Sequence, residues 1–439
     1  MTTDSQLTYK KIFRFWFPLS ATWLMMSVEM PFLTAIIARI SNPEFNLAAF
    51  GVAYSVALIV ESPVMMMLST STALIENRNT FLKLRNFVYL VNALITILII
   101  IFLLPPVFNF FALDLLNLPL RVSHLTHMAV ALLIPWAPSI GYRRFYQGIL
   151  IRQNLTRYVA YGTVIRLSSM AITAFMLFLF SNAHGVVVGA ASLSAGVMME
   201  AIAARIMSYK SVKKYLNGIV TSDKEITYKE IFHFYLPLAL TSFISLGFQP
   251  VVTFFISHGR YALESLAVFP VINSVVFIFR GFGLSIPEAV IALLKTENEY
   301  KKLKRFSQVL GITLVIGLSL VTFTPLANLW LLKVSGLSMQ LAQFSLLPLM
   351  LYSLFPLLTV WINFERAILI YSRETKPLTN AIITEVLGMF IILFVTVTFF
   401  DFIGVVAAVI ALTLGRLAAN FYLMRPFNKC VRKIKLQAN

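Results

Sequence analysis

The segment that decides the fold is YKKIFRFWFPLSAT at residues 9–22, because YKEIFHFYLPLALT at residues 228–241 repeats its pattern without a gap. The offset between the two segments is 219 residues, and it also places Pro31 on Pro250. The register persists far downstream, where it pairs Gly185, Val186, Val187, Leu193 and Gly196 with Gly404, Val405, Val406, Leu412 and Gly415. One fixed register with matched prolines indicates a duplicated chain.

The composition predicts a membrane protein. Of 439 residues, 59% are hydrophobic and 12% are charged, against the roughly 25% charged of soluble domains. Apolar segments such as Phe87 to Leu104 and Leu310 to Phe323 can, with their flanks, cross a bilayer. We therefore predict an all-α integral membrane fold of about twelve transmembrane helices, near residues 12–40, 46–75, 87–112, 122–151, 158–181, 184–209, 231–258, 264–294, 306–333, 339–371, 378–401 and 403–428.

The repeat and the helix positions together predict two six-helix lobes. The first lobe covers residues 1–209, a polar cytoplasmic linker covers 210–227, and the second lobe covers 228–439 with a basic cytoplasmic tail. Six helices return the chain to its starting side, so both halves insert in the same orientation. This arrangement predicts a parallel pseudo-two-fold repeat about the membrane normal, with a solute cleft between the halves near the midplane.

The positive charge indicates topology rather than nucleic-acid binding. The net charge is +18, but most Lys and Arg residues lie in alternate connections between apolar segments, as cytoplasmic loops do. The other connections and helix ends carry only Arg39, Arg121, Arg260 and Lys333. This asymmetry predicts that both termini are cytoplasmic, and no nucleic acid is expected as a partner. The single cysteine, Cys430, excludes an intrachain disulfide.

Charges within the predicted spans are candidate functional groups, because each costs about 2.5 kcal/mol or more at the bilayer centre unless it faces protein or water. The arginines are Arg143, Arg144, Arg166, Arg205, Arg280, Arg366 and Arg416. The glutamates are Glu29, Glu61, Glu200, Glu288, Glu365 and Glu385. Guanidinium groups offer a planar fork of donors that fits carboxylate or phosphate, so an interior with many arginines favours an anionic solute.

The repeat register places opposite charges at equivalent positions, with Glu61 on Arg280 and Arg166 on Glu385. If these groups face the cleft, they would pair across it when it is closed and release a guanidinium when it opens. We predict anion contacts from Arg143, Arg144, Arg280, Arg366 and Arg416. Coupling or gating groups are predicted at Glu29, Glu61, Arg166 and Glu385, with a proton or sodium as the coupling ion. The alternative, a structural ion pair within each half, remains open and is favoured for Glu200 and Arg205.

Signals for an enzyme are nearly absent. His124 and His127 lie three residues apart, but no further ligand lies at metal spacing. The sequence contains neither a nucleotide-binding P-loop nor a G-x-S-x-G element. We therefore predict no catalytic residues, no metal site and no cofactor.

Several short segments resemble one superfamily of exporters. They include FRFWFPL at 13–19, LAAFGVAYS at 47–55, QPVVTFFIS at 249–257, LLPLMLYSLFP at 346–356 and GVVVGAASLSAG at 185–196. The chain resembles the multidrug/oligosaccharidyl-lipid/polysaccharide exporter superfamily and, within it, the progressive ankylosis protein family. The superfamily resemblance implies two six-helix lobes that form a V around a cavity and work by alternating access. The narrower resemblance implies efflux of small polyanions such as pyrophosphate, ATP or citrate.

The combined expectation is a monomeric secondary transporter of a bacterial inner membrane that exports a small organic or phosphate-bearing anion. Two alternatives within transport remain open: a cation-coupled multidrug antiporter and a flippase for a lipid-linked oligosaccharide. Alternatives of another class are a membrane-embedded enzyme and a non-transporting receptor.

Overall fold

The computed structural model describes residues 7–153, 155, 157–217, 226–372, 374 and 376–436. Over these residues the structure is helical, and its only β contact is an isolated bridge between Arg260 and Ile403. The first ten helices are α1 Tyr9–Ser27, α2 Glu29–Ile37, α3 Pro43–Met65, α4 Met67–Leu74, α5 Arg78–Phe102, α6 Pro105–Asn109, α7 Leu120–Leu132, α8 Trp136–Arg152, α9 Arg157–Phe180 and α10 Gly185–Met207. After α11 Tyr209–Asn217 follow α12 Tyr228–His258, α13 Ala262–Leu284, α14 Ile286–Leu293, α15 Glu297–Thr322, α16 Leu326–Asn328, α17 Met339–Leu351, α18 Phe355–Tyr371, α19 Lys376–Thr398 and α20 Gly404–Leu436. The predicted all-α fold class is confirmed.

The repeat predicted from the sequence is visible in the helix bounds. Helices α3, α4, α7 and α8 recur as α13, α14, α17 and α18 at the same offset of 219 residues at both ends. Even a π-helical turn recurs, at Phe110–Leu115 and Leu329–Val334. The residues before α3 and α13, Asn42 and Tyr261, both have a left-handed backbone, with φ of 55° and 51°.

Eleven helices of the described chain are long and apolar enough to span a membrane. The predicted span 122–151 is not among these eleven helices. It forms α7 and α8 with a break between them. Its repeat counterpart, Met339–Tyr371, is one of the eleven. The difference follows from composition, because the first-half segment contains Arg143 and Arg144 where the second half has Ile362 and Asn363.

Two predicted helices begin about nine residues too late. The third span starts at Arg78 rather than residue 87, and its counterpart starts at Glu297 rather than 306. Each start is fixed by a capping box, in which Asn77 pairs with Thr80 and Thr296 pairs with Glu299. The charged first turns lie outside the apolar stretch that marked the span, so apolar length alone missed them.

The first predicted span, 12–40, is interrupted rather than continuous. Helix α1 ends at Ser27, and α2 begins at Glu29 with Pro31 in its first turn. Proline lacks the amide hydrogen that would bond the carbonyl of Ser27, four residues earlier, so a break here is expected. The equivalent Pro250 lies within the unbroken helix α12.

The polar connections also differ from the prediction. Residues 210–217 of the predicted linker belong to helix α11, whereas residues 218–225 lie outside the described residues. The predicted basic tail after residue 428 continues helix α20 to Leu436. Cys430 lies buried on this helix.

The chain forms two compact units. One is Ile36–Ser257, here the 36–257 unit; the other combines Met1–Ala35 with His258–Asn439, here the 258–439 unit. Helix α1 packs against α13, α14 and α15 of the 258–439 unit, where Trp16 joins a core with Ile286 and Phe364. The packing units therefore differ from the predicted halves in where the first helix of each half belongs, because α1 lies in the 258–439 unit and most of α12 lies in the 36–257 unit. The boundaries 1–209, 210–227 and 228–439 describe the sequence repeat and stay a prediction.

Candidate functional site

The 36–257 unit holds a buried ionic cluster centred on Glu200 of α10. Arg143 of α8 forms a hydrogen-bonded ion pair with its Oε2 atom. Arg166 of α9 places its Nε atom 3.7 Å from the same oxygen, and the amide of Gln147 donates to Oε1 over 3.0 Å. Glu200 is fully buried, and both arginines are 6% exposed. One carboxylate thus faces two guanidinium groups, and we call these four residues the Glu200 cluster.

The 258–439 unit holds a second cluster, centred on Glu385 of α19. Arg416 of α20 donates from Nε to Oε1 of Glu385 over 2.7 Å. Arg366 of α18 places Nη2 3.9 Å from Oε2. The carboxylate is 7% exposed. We call these three residues the Glu385 cluster, and it also combines one carboxylate with two guanidinium groups.

The two clusters are built on equivalent helices but from different residues. Arg166 and Glu385 occupy equivalent positions, as do Gln147 and Arg366. The carboxylate lies on α10 in the 36–257 unit, but on α19, the repeat counterpart of α9, in the 258–439 unit. The positions of the carboxylate and the guanidinium groups thus differ between the two clusters. Each cluster nevertheless has one more positive charge than negative charges.

Close helix packing positions both clusters. A Cβ atom on Gly196 of α10 would lie 2.9 Å from the backbone oxygen of Arg166. A Cβ atom on the equivalent Gly415 of α20 would lie 2.9 Å from the backbone oxygen of Glu385. At each position only glycine lets the helix pair approach this closely. The matched glycines of the sequence repeat thus bring the charged side chains of neighbouring helices together.

Four of the predicted site arginines therefore pair with a carboxylate of their own unit. Arg143 and Arg166 contact Glu200, whereas Arg366 and Arg416 contact Glu385. These contacts correspond to the structural alternative that the sequence left open. Their predicted roles in binding or gating stay predictions, and such roles would require the pairs to exchange partners.

Two further predicted contacts, Arg144 and Arg280, differ from these four. Among the described residues, neither has a carboxylate within ion-pairing distance. The Nη2 atom of Arg144 lies 3.3 Å from the Met65 sulfur. Its guanidinium also interacts electrostatically with the more distant carboxylate of Glu61. The Nε atoms of both arginines are buried without a hydrogen-bond partner in the described structure.

Aromatic side chains hold Arg280 in place. Its guanidinium carbon lies 5.2 Å from the ring centroid of Phe277 and 5.4 Å from that of Phe355, and the Tyr352 hydroxyl lies close enough to interact with it electrostatically. Phe355 also faces Arg416 at 5.1 Å. Cation–π contacts orient a guanidinium but supply less than a full negative charge. Arg280 is thus fixed in direction and retains the capacity to bind an anion.

The predicted coupling carboxylates lie at helix breaks or in the core. Glu29 is the first residue of α2, directly after the interruption at Val28, and is half-buried. Glu61 lies in α3 and is 7% exposed. Both have interactions with neighbouring groups. Their coupling role stays a prediction.

Sequence reasoning passed over other polar groups of the interior. Glu365 of α18, which the sequence identified as a charge within a span without assigning it a role, is fully buried. It accepts the Trp361 indole N–H over 3.0 Å, and its Oε2 atom has no hydrogen-bond partner in the described structure. Gln147, Tyr352 and Trp361 were missed because uncharged side chains carry no special signal within apolar spans. His127 bonds the Leu103 carbonyl at 2.9 Å, and the described residues contain no group of three potential metal ligands.

The helices and their repeat form a fold that is similar to the fold of solved transporters of the multidrug/oligosaccharidyl-lipid/polysaccharide (MOP) exporter superfamily. An inward-facing multidrug resistance MATE family transporter of this superfamily matches with a TM-score of 0.70 and 13% identity over 95% of this chain and 100% of that chain. The lipid II flippase MurJ, in an inward closed conformation, matches with a TM-score of 0.72 and 14% identity over 96% of this chain and 90% of its own.

A third neighbour is a MOP superfamily transporter from Pyrococcus furiosus, whose structure is described by the reverse polarity of its binding pocket. It matches with a TM-score of 0.59 and 14% identity over 95% of this chain and 97% of that one. No family model and no curated protein matches the sequence. The narrower resemblance to the progressive ankylosis family therefore stays a prediction.

Proposed function

We propose that the chain is an alternating-access secondary transporter that exports a small organic or phosphate-bearing anion of the pyrophosphate, nucleotide or citrate type. The observation that carries this proposal is the pair Arg144 and Arg280, guanidinium groups in membrane helices without a carboxylate at pairing distance among the described residues. A charge at this depth costs about 2.5 kcal/mol or more unless it is compensated. An anionic solute with several oxygens would supply that compensation.

The ionic clusters support the same chemistry. Each cluster holds two guanidinium groups against one carboxylate, so each unit is locally positive even where its arginines are paired. A polyanion attracted to this interior would compete with Glu200 or Glu385 for the donors. Coupling to a proton or sodium through Glu29 or Glu61, a monomeric state, and a bacterial inner membrane with cytoplasmic termini belong to the same proposal.

The first test identifies the exported solute. Metabolites in the spent medium are compared between cells that express the wild type, Arg280→Gln, Arg144→Gln or Arg121→Gln, at matched membrane abundance. Arg121 is the control because it lies at a helix end, in the first turn of α7, where its guanidinium stacks on Phe45 at 4.7 Å. A polyanion that accumulates with the wild type and Arg121→Gln, but not with the other two variants, supports the proposal. Identical media from all four strains would overturn it.

A second candidate, a multidrug antiporter for apolar compounds, is favoured by one observation. The 36–257 unit contains a cavity of about 230 Å³ lined by apolar side chains, among them Val56, Phe102, Phe111, Trp136 and Pro250. Apolar and aromatic walls suit a hydrophobic ligand. Ala57 also lines this cavity, and tryptophan at this position would fill it. Resistance of expressing cells to lipophilic cations, lost in Ala57→Trp and kept in Arg280→Gln, would select this function over anion export.

A further inference from the structure

A second cavity of the 36–257 unit lies between α5, α8 and α10, and we call it the Arg205 pocket. Its volume is about 460 Å³, and its walls include Asn92, Tyr142, Met198, Ile202, Arg205 and Ile206. It lies apart from the Glu200 cluster, because Glu200 occupies the buried face of α10. The pocket is therefore a separate candidate site from the Glu200 cluster.

The rim of the Arg205 pocket is apolar and exposed. On α10, Met198, Ile202 and Ile206 are 42%, 51% and 68% exposed. In a helix that spans a membrane, exposed apolar side chains contact lipid chains. The pocket thus opens on a surface that hydrocarbon can cover.

The polar end of the pocket carries a positive charge. Arg205 has no carboxylate within pairing distance among the described residues, and its guanidinium carbon lies 5.2 Å from the centroid of the Tyr146 ring. The side chain of Tyr142 lines the same pocket. A guanidinium beside a phenol offers the donors that a phosphate diester accepts.

The surroundings place this charge at the membrane surface. Helix α10 ends at Met207, two residues after Arg205, and α11 follows with exposed Lys210, Lys213 and Lys214. Val212 on the other face of α11 is buried. A short amphipathic helix with several lysines at the end of a span is typical of the interface with an anionic leaflet.

The polar side chains of the pocket are replaced at the repeat-equivalent positions. Arg205, Tyr142 and Asn92 correspond to Met424, Trp361 and Gly311. The same helices thus form in the 258–439 unit without the arginine or the phenol. The fold does not require these groups, so their presence in one unit points to a ligand.

We propose that the Arg205 pocket binds an anionic phospholipid of the cytoplasmic leaflet. Its phosphate contacts Arg205 and Tyr142, and its acyl chain lies along Met198, Ile202 and Ile206. Basic pockets between membrane helices on the cytoplasmic side recognise lipid head groups in this way. The proposal does not depend on the transported solute, because it uses none of the residues assigned to transport.

The test measures lipid binding by the purified full-length chain in detergent. Phosphatidylglycerol and phosphatidylcholine are titrated separately, and bound lipid is counted by native mass spectrometry. We expect the wild type to prefer phosphatidylglycerol and Arg205→Met to bind it about tenfold or more weakly, as the loss of a charged hydrogen bond implies. Methionine is the matched replacement because it occupies the equivalent position 424.

Arg121→Met is the control, since it removes another arginine that stacks on a ring in the same unit, and it should bind phosphatidylglycerol like the wild type. If Arg205→Met does not fold, Tyr142→Phe replaces it, with a smaller expected loss of the preference. Equal affinity of the wild type and Arg205→Met for phosphatidylglycerol would overturn the proposal. It would also be overturned by equal binding of the two lipids, or by inorganic phosphate that abolishes phosphatidylglycerol binding at low millimolar concentration, which would indicate a site for free phosphate.

Discussion

Arg416 donates from Nε to Oε1 of Glu385 over 2.7 Å, and both side chains are largely buried. The equivalent positions in the other unit are Val197 and Arg166. This ion pair is therefore specific to the 258–439 unit and has no counterpart at the equivalent positions. A buried pair of this kind is costly to break, because removal of one partner leaves an uncompensated charge.

Glu385→Gln should destabilise the protein strongly. The substitution keeps the shape of the side chain but leaves Arg366 and Arg416 without their carboxylate, which costs about 3–5 kcal/mol for a buried pair. The measurement is the apparent unfolding temperature of the purified protein in detergent. Glu76→Gln is the matched control, because Glu76 forms an exposed pair with Arg152 at 3.4 Å and surface pairs contribute about 0–1 kcal/mol.

The pairing itself is tested by the double variant Glu385→Gln, Arg416→Val. Valine occupies the equivalent position 197, so the fold tolerates it there. Removal of the second charge should restore part of the lost stability, as interacting residues are not additive. The ion-pair interpretation would be contradicted if the stability losses of the two single variants simply added in the double variant. It would also be contradicted if Glu385→Gln were as stable as Glu76→Gln.

Gly415→Ala should lower stability and separate α19 from α20. A Cβ atom at this position would lie 2.4 Å from the Met389 Cγ atom and 2.9 Å from the Glu385 backbone oxygen. Overpacking of this kind costs about 1–3 kcal/mol. The measurement is again the apparent unfolding temperature of the purified protein in detergent.

The control for Gly415 lies on the facing helix. A Cβ atom on Gly388 would approach only the Gly415 Cα atom, at 3.7 Å, which is ordinary contact. Gly388→Ala should therefore be neutral or stabilising by about 0.5–1 kcal/mol through helix propensity. Equal losses for the two variants would show that close approach at Gly415 does not hold the helices together.

The sequence was sufficient for the fold because its signals were redundant. Apolar length marked the spans, and the offset of 219 residues matched helix bounds such as those of α8 and α18. The prediction failed where a boundary depended on one local contact, as in the capping box of Asn77 and Thr80. It also failed at Val28, where one proline interrupts a helix but its counterpart, Pro250, does not.

The site was predictable only as a list of charges. Sequence position identified Arg143 and Glu200 as intramembrane groups, but it could not show that they pair with each other, since 57 residues separate them. The repeat suggested that Arg166 and Glu385 are opposite in charge, yet each finds its partner on a neighbouring helix of its own unit. Pairing depends on which helices pack together, which apolar periodicity does not specify.

Asn46→Ala should destabilise the 36–257 unit at the start of α10. The Asn46 side chain donates to the Ser41 and Asn42 carbonyls at 2.9 and 3.0 Å, and its Oδ1 atom accepts from the Val186 amide at 2.9 Å. Loss of these partners leaves buried backbone groups unsatisfied, at about 1–3 kcal/mol. Faster hydrogen exchange at the Val186 amide would locate the effect.

The repeat supplies the comparison for Asn46. Ser265 is its equivalent, and in the described structure its buried hydroxyl has no hydrogen-bond partner. Ser265→Ala should therefore change stability by less than about 0.5 kcal/mol, or raise it, because an unpaired hydroxyl is removed from the interior. If Ser265→Ala lowers the stability as much as Asn46→Ala does, the additional hydrogen bonds of Asn46 do not contribute to the free energy of unfolding.

Arg280→Gln should impair transport more than stability. The guanidinium lies against the rings of Phe277 and Phe355 and close to the Tyr352 hydroxyl. Glutamine at this position retains a polar group of similar length. Loss of a charged hydrogen bond to the anion corresponds to about 1.5–3 kcal/mol, or about tenfold or more in KM. The measurement is uptake of the exported anion, once identified, into proteoliposomes that contain the purified variant.

Arg280→Lys separates charge from geometry at the same position. Lysine keeps the positive charge but lacks the planar fork that binds two oxygens of a carboxylate or phosphate. We therefore expect a KM between those of the wild type and Arg280→Gln. If all three proteins have the same KM, Arg280 does not contact the anion, and the aromatic contacts of its guanidinium serve packing alone. If Arg280→Lys matches the wild type while Arg280→Gln is impaired, the site requires charge but not bidentate recognition, which favours a solute with dispersed negative charge.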